Sequence, residues 1–379
     1  MSASGAHQDV RERHMNTTIG KSRIPTTLKV LFLSKVLLVS RSPALGEAVA
    51  SDPKSRLVDV PGSKVAATDI TKSEVFDGSG MCSNPKWKAS KIDKRMIAWK
   101  GPELAFLTLA SHQGQFDDNV IKSLVARLHR GWAAYAYVMR DRPRKGKNYQ
   151  GTAAMVAIPR KQAVAIGQGW IGHQGIDVAT FYDKGYEMAT KGDVEWYYFY
   201  EMGRCWFTGA VWKKFAYDSA FAVHMGTVAQ AYAMERPRPH NSKLLAKSRA
   251  ASFNFSKLIA YDRATTKALG SDFNGFYNEM LLKLSGGDLR WVKSYYHHLL
   301  ETANHGGNRN IQILNWIVAS CAASETDVSP QFVETLQVPL SEHAKQRFSE
   351  IDWENPYSVA YFYRPGFEVN KCFAPQTKR

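Results

Sequence analysis

The chain of 379 residues contains no apolar run of about 20 residues, the length that a helix needs to cross a membrane. No segment is therefore predicted to span a bilayer. The sequence also lacks the Cys-x-x-Cys spacing typical of metal and redox sites. Its cysteines are few and far apart: Cys82, Cys205, Cys321 and Cys372. Their even number allows two disulfides in an oxidising compartment, and four separate thiols are the alternative.

Several catalytic and nucleotide-binding patterns are missing as well. There is no His-Glu-x-x-His zinc motif and no Gly-x-Ser-x-Gly nucleophile motif. No glycine-rich segment leads into a predicted helix as dinucleotide-binding and phosphate-binding loops do. No zinc finger, homeodomain or RNP pattern is present, so sequence-specific nucleic-acid binding is not expected.

Acidic residues are scarce relative to basic ones. The chain has 50 Lys and Arg against 34 Asp and Glu, which gives a formal net charge of +16. Such an excess favours anionic partners. The basic clusters 86–95, 140–147 and 236–249 are interpreted as solvated surface, with an anionic glycan as the second interpretation. The oligomeric state is left without a prediction.

The N-terminal region resembles a targeting segment. Basic residues precede the apolar run 30–39, and the small-x-small sequence Ala48-Val49-Ala50 follows it. This order is typical of a secretory signal peptide and predicts a secreted or extracellular protein. An organelle transit peptide, or a basic tail on a cytoplasmic protein, is the alternative.

The periodicity of apolar residues predicts an α+β fold, in which a small mixed sheet with helices is followed by a mainly helical domain. The predicted strands are 103–109, 152–158 and 164–171, and residues 176–181 are predicted to form either a strand or the entry to a helix. The predicted helices are 119–139, 194–207, 218–235, 254–263, 272–284, 288–302, 309–323, 329–336 and 340–348.

Four regions follow from this pattern. Residues 1–98 are basic and predicted to be largely disordered, and residues 99–192 are predicted to form an α/β subdomain. Residues 193–350 are predicted to form a helical subdomain that contains a motif helix, and residues 351–379 a C-terminal tail.

The motif helix contains the sequence Tyr200-Glu201-Met202-Gly203-Arg204. A zinc-hydrolase helix carries two histidines four residues apart, with a Glu beside the first as the general base. Here the Glu is present, but Tyr200 and Arg204 stand at the two ligand positions. A guanidinium cation cannot ligate zinc, so no metal ligand set is assigned and no cofactor is predicted.

Several separated motifs, over roughly residues 100–350, resemble the zincin-like metallopeptidases of the gluzincin type. The resemblance is closest to a branch with a degenerate Tyr-Glu-x-Gly-Arg motif in place of His-Glu-x-x-His. The segments that carry it are Val156–Pro159, Gly167–Asp177, Tyr198–Trp206, Ala220–Met225, Asn315–Ser320, Asp327–Pro330 and the short element at Pro339.

The resemblance implies a small sheet, a motif helix and a helical domain that forms the other wall of a cleft. In active members a third zinc ligand lies about twenty residues beyond the motif. His224 lies at that distance from Arg204. The resemblance also implies that the edge strand of the sheet binds extended substrate through its backbone.

The candidate catalytic residues are therefore Glu201, Tyr200 and His224. The candidate binding residues are Gly167, Gly169, Trp170, His173 and Arg204. Glu201 is either a general acid or base with a raised pKa, or the partner of Arg204 in an ion pair. The glycines either meet turn requirements or allow a ligand to approach the backbone.

Three functions are compatible with these residues. The first is a zincin-like, secreted pseudo-peptidase that binds a protein or glycan in the former active-site cleft. The second is an active hydrolase of peptide bonds, with Glu201 as general base and an atypical metal or none. The third is a basic structural protein that binds surfaces or glycans.

Overall fold

The computed structural model describes residues 58–374. The predicted targeting segment lies outside these residues. Within them, the strands are β1 (Thr71–Lys72), β2 (Phe76–Asp77), β3 (Arg95–Lys100), β4 (Leu104–Leu109), β5 (Asn148–Tyr149), β6 (Thr152–Ala157), β7 (Gly167–Gly169) and β8 (Ile176–Val178).

The helices that accompany the sheet are α1 (Pro85–Ala89), α2 (Asp118–Val138) and α3 (Tyr186–Thr190). The later helices are α4 (Trp196–Trp206), α5 (Gly209–Lys214), α6 (Asp218–Ala233), α7 (Ser242–Lys247), α8 (Phe255–Ile259), α9 (Arg263–Leu269), α10 (Phe273–Ser285), α11 (Leu289–Glu301), α12 (Arg309–Ala323), α13 (Ser329–Leu336), α14 (Glu342–Ser349) and α15 (Ser358–Phe362). This arrangement confirms the predicted α+β class.

The strands form one mixed sheet with the order β1-β3-β4-β6-β8-β7, and the short strands β2 and β5 pair with β3 and β6. The pairs β4–β6 and β6–β8 are parallel, whereas β7 pairs antiparallel with β8. Strand β7 is therefore an antiparallel edge strand beside a parallel centre.

Both faces of the sheet are covered, which explains why every residue of β4 and β6 is buried. One face packs against α2 and α4 through alternate residues such as Phe106 and Met155. The other face, with Leu107 and Val156, packs against Cys82 and Trp87 from the N-terminal segment.

Two terminal predictions require correction. Residues 58–98, predicted to be largely disordered, form β1, β2, α1 and the start of β3, because Val60 and Ile70 pack into the main core and Cys82 and Trp87 cover the second face of the sheet. The boundary at residue 98 falls within β3. Residues 351–374, predicted to be a tail, include α15, whose Phe362 is fully buried in the main core.

The structure also bears on the state of the cysteines and on the prediction of no membrane-spanning segment. All four cysteines are buried, separate thiols, which answers the disulfide question in favour of the second alternative. No helix within residues 58–374 is long and apolar enough to cross a membrane.

Helix α4 occupies the centre of the molecule because small residues let α6 approach it closely. A Cβ atom at Gly203 would lie 2.8 Å from the Cα atom of Ala222, and one at Gly226 would lie 2.9 Å from the Cα atom of Tyr200. On its other side, the Tyr135 hydroxyl of α2 donates a hydrogen bond of 2.7 Å to the Phe199 carbonyl. Helix α4 is thus held on two sides.

We expect Gly203→Ala to lower the free energy of unfolding by about 1–3 kcal/mol, because the added methyl group would press on the backbone of α6. The control is Gly209→Ala at the first residue of α5, where an added Cβ meets no atom within 4 Å. That change should be neutral or slightly stabilising. Urea unfolding measures both, and an equal loss of stability in the two variants would contradict the packing described.

Candidate functional site

Helix α4 presents a half-buried stripe of polar and aromatic side chains, Tyr197, Tyr200 and Arg204, spaced three and four residues apart. The rings of Tyr197 and Tyr200 are stacked, with centroids 5.5 Å apart. Trp196 extends this aromatic surface, with its ring centroid 5.4 Å from that of Tyr200. The stripe is the part of α4 that neither the core nor α6 covers completely.

The carboxylate of Glu201 lies between this stripe and the edge of the sheet. Glu201 is only 2% exposed, and its Oε2 accepts a hydrogen bond from the backbone amide of Gly169 in β7. Burial raises the pKa of Glu201, while hydrogen bonds from Tyr197 and Gly169 and the charge of Arg204 partly oppose that shift. Glu201 therefore joins α4 to β7.

The two glycines of β7 are required by this close approach of helix and strand. A Cβ atom at Gly167 would lie 2.4 Å from a ring carbon of Tyr197, and one at Gly169 would lie 2.1 Å from the Glu201 carbonyl oxygen. Both glycines were candidates for ligand binding, because a ligand could approach the backbone where a side chain is missing. The structure places α4 on that side, so only their backbone edge is left for a ligand.

Arg204 pairs with Asp218 rather than with Glu201. Its Nη2 lies 3.1 Å from Oδ2 of Asp218 at the start of α6, and both side chains are about 30% exposed, at 28% and 31%. The proposed ion pair between Glu201 and Arg204 is therefore replaced by a pair across two helices. The hydroxyl of Tyr200 donates a weak hydrogen bond of 3.4 Å to Ser219, also on α6.

Trp170 and His173 lie beyond β7, on the loop that leads to β8. Trp170 packs against Gly175, and the Lys147 ammonium lies 5.8 Å from the centre of its ring. His173 is exposed, and its backbone amide donates to the Trp170 carbonyl. Gly172 and Gly175 have φ of 70° and 124°, so this loop needs glycine for its conformation.

His224 is not part of this site. It lies two residues from Ala222 on α6, so it points away from α4. Its ring is fully buried between Tyr277 and Tyr296, with centroid distances of 6.1 Å to each. The prediction that His224 joins Glu201 in catalysis is therefore not supported by the geometry.

The residues at the zincin ligand positions do not fit a zinc ion. Arg204 is a cation in an ion pair, Tyr200 contacts Ser219, and His224 faces the opposite side of its helix. Within the described residues, no group of three or more His, Cys, Asp and Glu side chains is arranged to hold a metal. No chemical step through zinc is derived for this site.

The sequence-based prediction missed two residues of the site. Tyr197 lies one helical turn before Glu201, and this i,i+4 spacing could have identified it as the partner of the carboxylate. The second residue is Asp218, which pairs with Arg204 from the start of α6. Its role depends on how α4 and α6 pack, which no local pattern reveals.

Comparison of the chain with protein-family models, curated proteins and solved structures gave no match.

We expect His224→Met to reduce the loss of stability on acidification. Burial lowers the pKa of His224 to about 3. A neighbouring Asn278 only partly offsets this shift, and neither ring nitrogen has a hydrogen bond of normal geometry within residues 58–374. The unfolded chain therefore binds a proton at this position, below its ordinary pKa of about 6.5, that the folded chain cannot bind.

The native protein should thus lose stability from this group as the pH falls from about 6.5 towards 3. Between pH 7 and pH 5 the contribution is about 2 kcal/mol, which the Met variant lacks. Urea unfolding at the two pH values measures it, and the other histidines cancel because both proteins share them. An identical pH dependence for the two proteins would show that His224 binds a proton in the folded protein as readily as in the unfolded chain.

Proposed function

We propose that this chain is a zincin-like pseudo-peptidase that binds an extended peptide along the outer edge of β7, beside the stripe of α4. The observation that carries the proposal is a short antiparallel edge strand whose outer side pairs with no strand of residues 58–374, adjoining a polar and aromatic helix face. A peptide that adds a strand to such an edge gains backbone hydrogen bonds without any need for catalysis.

The register of β7 supports this mode of binding. Ile166 and Trp170 make backbone hydrogen bonds with Ala179 and Gly175, which flank the pairing of Gln168 with Asp177. Because an antiparallel ladder alternates, the backbone groups of the residues in between point away from β8. These residues are the two glycines of β7, and within residues 58–374 only one of their outward amides is engaged, by Glu201.

The surroundings of β7 are apolar and exposed. Val164, Ile166 and Ile171 are 56%, 40% and 47% exposed, although large aliphatic side chains usually avoid water. An exposed edge strand with apolar neighbours is a site for pairing with another chain. The Arg204–Asp218 pair and the two tyrosines of the stripe would supply polar contacts to the bound peptide.

A phage-displayed library of random dodecapeptides, selected on the full chain, tests the proposal. We expect enriched peptides with alternating apolar residues. Each synthetic peptide is then N-methylated at one position at a time and its affinity is measured by calorimetry. Sensitivity should alternate with a period of two, because only every second amide of an added strand faces β7.

Val164→Asp should weaken binding of the selected peptide by about tenfold, since it replaces apolar contact surface with a charge. Val75→Asp is the matched control, because Val75 is similarly exposed, at 46%, but lies beside β2. Absence of any enriched peptide, or sensitivity to N-methylation without alternation, would rule out pairing with β7.

The raised pKa of Glu201 is the one observation that favours the alternative of an active hydrolase, because a general acid must hold a proton near neutral pH. We expect the selected peptides to stay intact on long incubation with the protein, as judged by mass spectrometry. Cleavage by the native protein that Glu201→Gln abolishes, with unchanged urea unfolding, would instead establish peptidase activity and overturn the pseudo-peptidase proposal.

A further inference from the structure

A surface pocket of about 370 Å³ lies between α7, α10 and α13, among elements other than those that form the stripe of α4. Its size is in the range of pockets that hold small molecules. Leu245 and Ala246 form an apolar part of its wall, and Ser242 and Thr335 contribute hydroxyl groups. The remaining lining residues are His240, Lys243, Arg249 and Lys283.

Three cations thus converge on the pocket. Lys243 and Arg249 are exposed, and Lys283 is half-buried, with its Nζ donating a 3.0 Å hydrogen bond to Oγ1 of Thr335. None of the three forms an ion pair with a carboxylate within residues 58–374. The pKa of Lys283 is lowered, first by burial and then by the charge of Arg249. The pocket therefore carries positive charge that residues 58–374 leave largely uncompensated.

The nearest acidic groups do not neutralise this charge. Glu279 of α10 lies 3.6 Å from Arg238 and also accepts a hydrogen bond from the backbone amide of Asn241. Glu334 is exposed on α13. Its charge raises the pKa of Lys283, but this effect is smaller than the lowering by burial and by the charge of Arg249. Arg236, in the same basic cluster of the sequence, does have an acidic partner, since its Nη1 lies 3.8 Å from Oδ1 of Asp193.

We propose that this pocket binds the phosphate or sulfate ester of a small polar molecule, with the oxyanion between Lys243, Arg249 and Lys283. Hydrogen bonds between a cationic donor and an oxyanion are stronger than neutral ones, and an anion here relieves repulsion among the three cations. The hydroxyl of Ser242 can donate to the same group. The apolar wall at Leu245 suits the carbon skeleton of a sugar-sized ligand.

Calorimetry at low ionic strength tests the proposal with glucose 6-phosphate, glucose 6-sulfate, a heparin disaccharide and inorganic phosphate. We expect saturable binding of at least one ester with a stoichiometry of one. A preference for the phosphate ester identifies a phosphorylated metabolite as the source, and a preference for the heparin disaccharide identifies a sulfated glycan. Both results support the site.

The double variant Lys243→Gln/Arg249→Gln should weaken this binding at least about tenfold, because it removes two charged donors. The control Lys257→Gln/Arg263→Gln removes the same charge from exposed residues that do not line the pocket, and should change affinity less than about twofold. Lys283→Met adds an independent loss of affinity, and thermal melting without ligand verifies that each variant folds.

Two results would overturn the proposal. One is the absence of saturable binding by every probe, and the other is an equal loss of affinity in the two double variants, which would reduce the effect to net charge. Neither result bears on peptide binding at β7, since that site uses none of these residues.

Discussion

The architecture around the candidate site depends on how closely α4 can lie between β7 and α6. Glycine at four positions, two in β7 and one in each helix, removes the side chains that would keep these backbones apart. Close-packed interiors tolerate little extra volume, so this contact restricts the position of α4. The positions of the side chains on α4 depend on that contact.

The burial of Glu201 is a direct consequence. Because β7 lies against α4, the carboxylate is removed from water and must find hydrogen-bond donors within the protein. The amide of Gly169 and the hydroxyl of Tyr197 supply them. The same geometry that would place a general base beneath an edge strand can also serve to hold that strand in place. This structural role is why we propose binding rather than hydrolysis.

The fold determines where the positive charge behind the net value of +16 is balanced by ion pairs and where it is not. At α4 and α6, positive charge is balanced, since Arg204 pairs with Asp218. At the pocket beside α7, cations meet without such partners among the described residues, although the same sequence cluster contains Arg238, which is paired with Glu279. A basic cluster in the sequence therefore does not reveal which of its charges are free, because the partners come from distant helices.

The sequence by itself determined most of the helices and the central strands, because an apolar stripe of helical or alternating period is a local property. Helix α2, for example, is predicted over residues 119–139 and spans Asp118–Val138, with Asp117 capping its first turn. Tertiary structure alone decided the rest. Residues 58–98 become ordered because Val60 and Ile70 pack into the main core, while Cys82 and Trp87 cover the second face of the sheet. Glu201 bonds to an amide 32 positions away, and His224 faces α10 and α11 because α4 fills the other side of α6. Such contacts between distant positions depend on how the elements pack, and no periodicity in the chain encodes them.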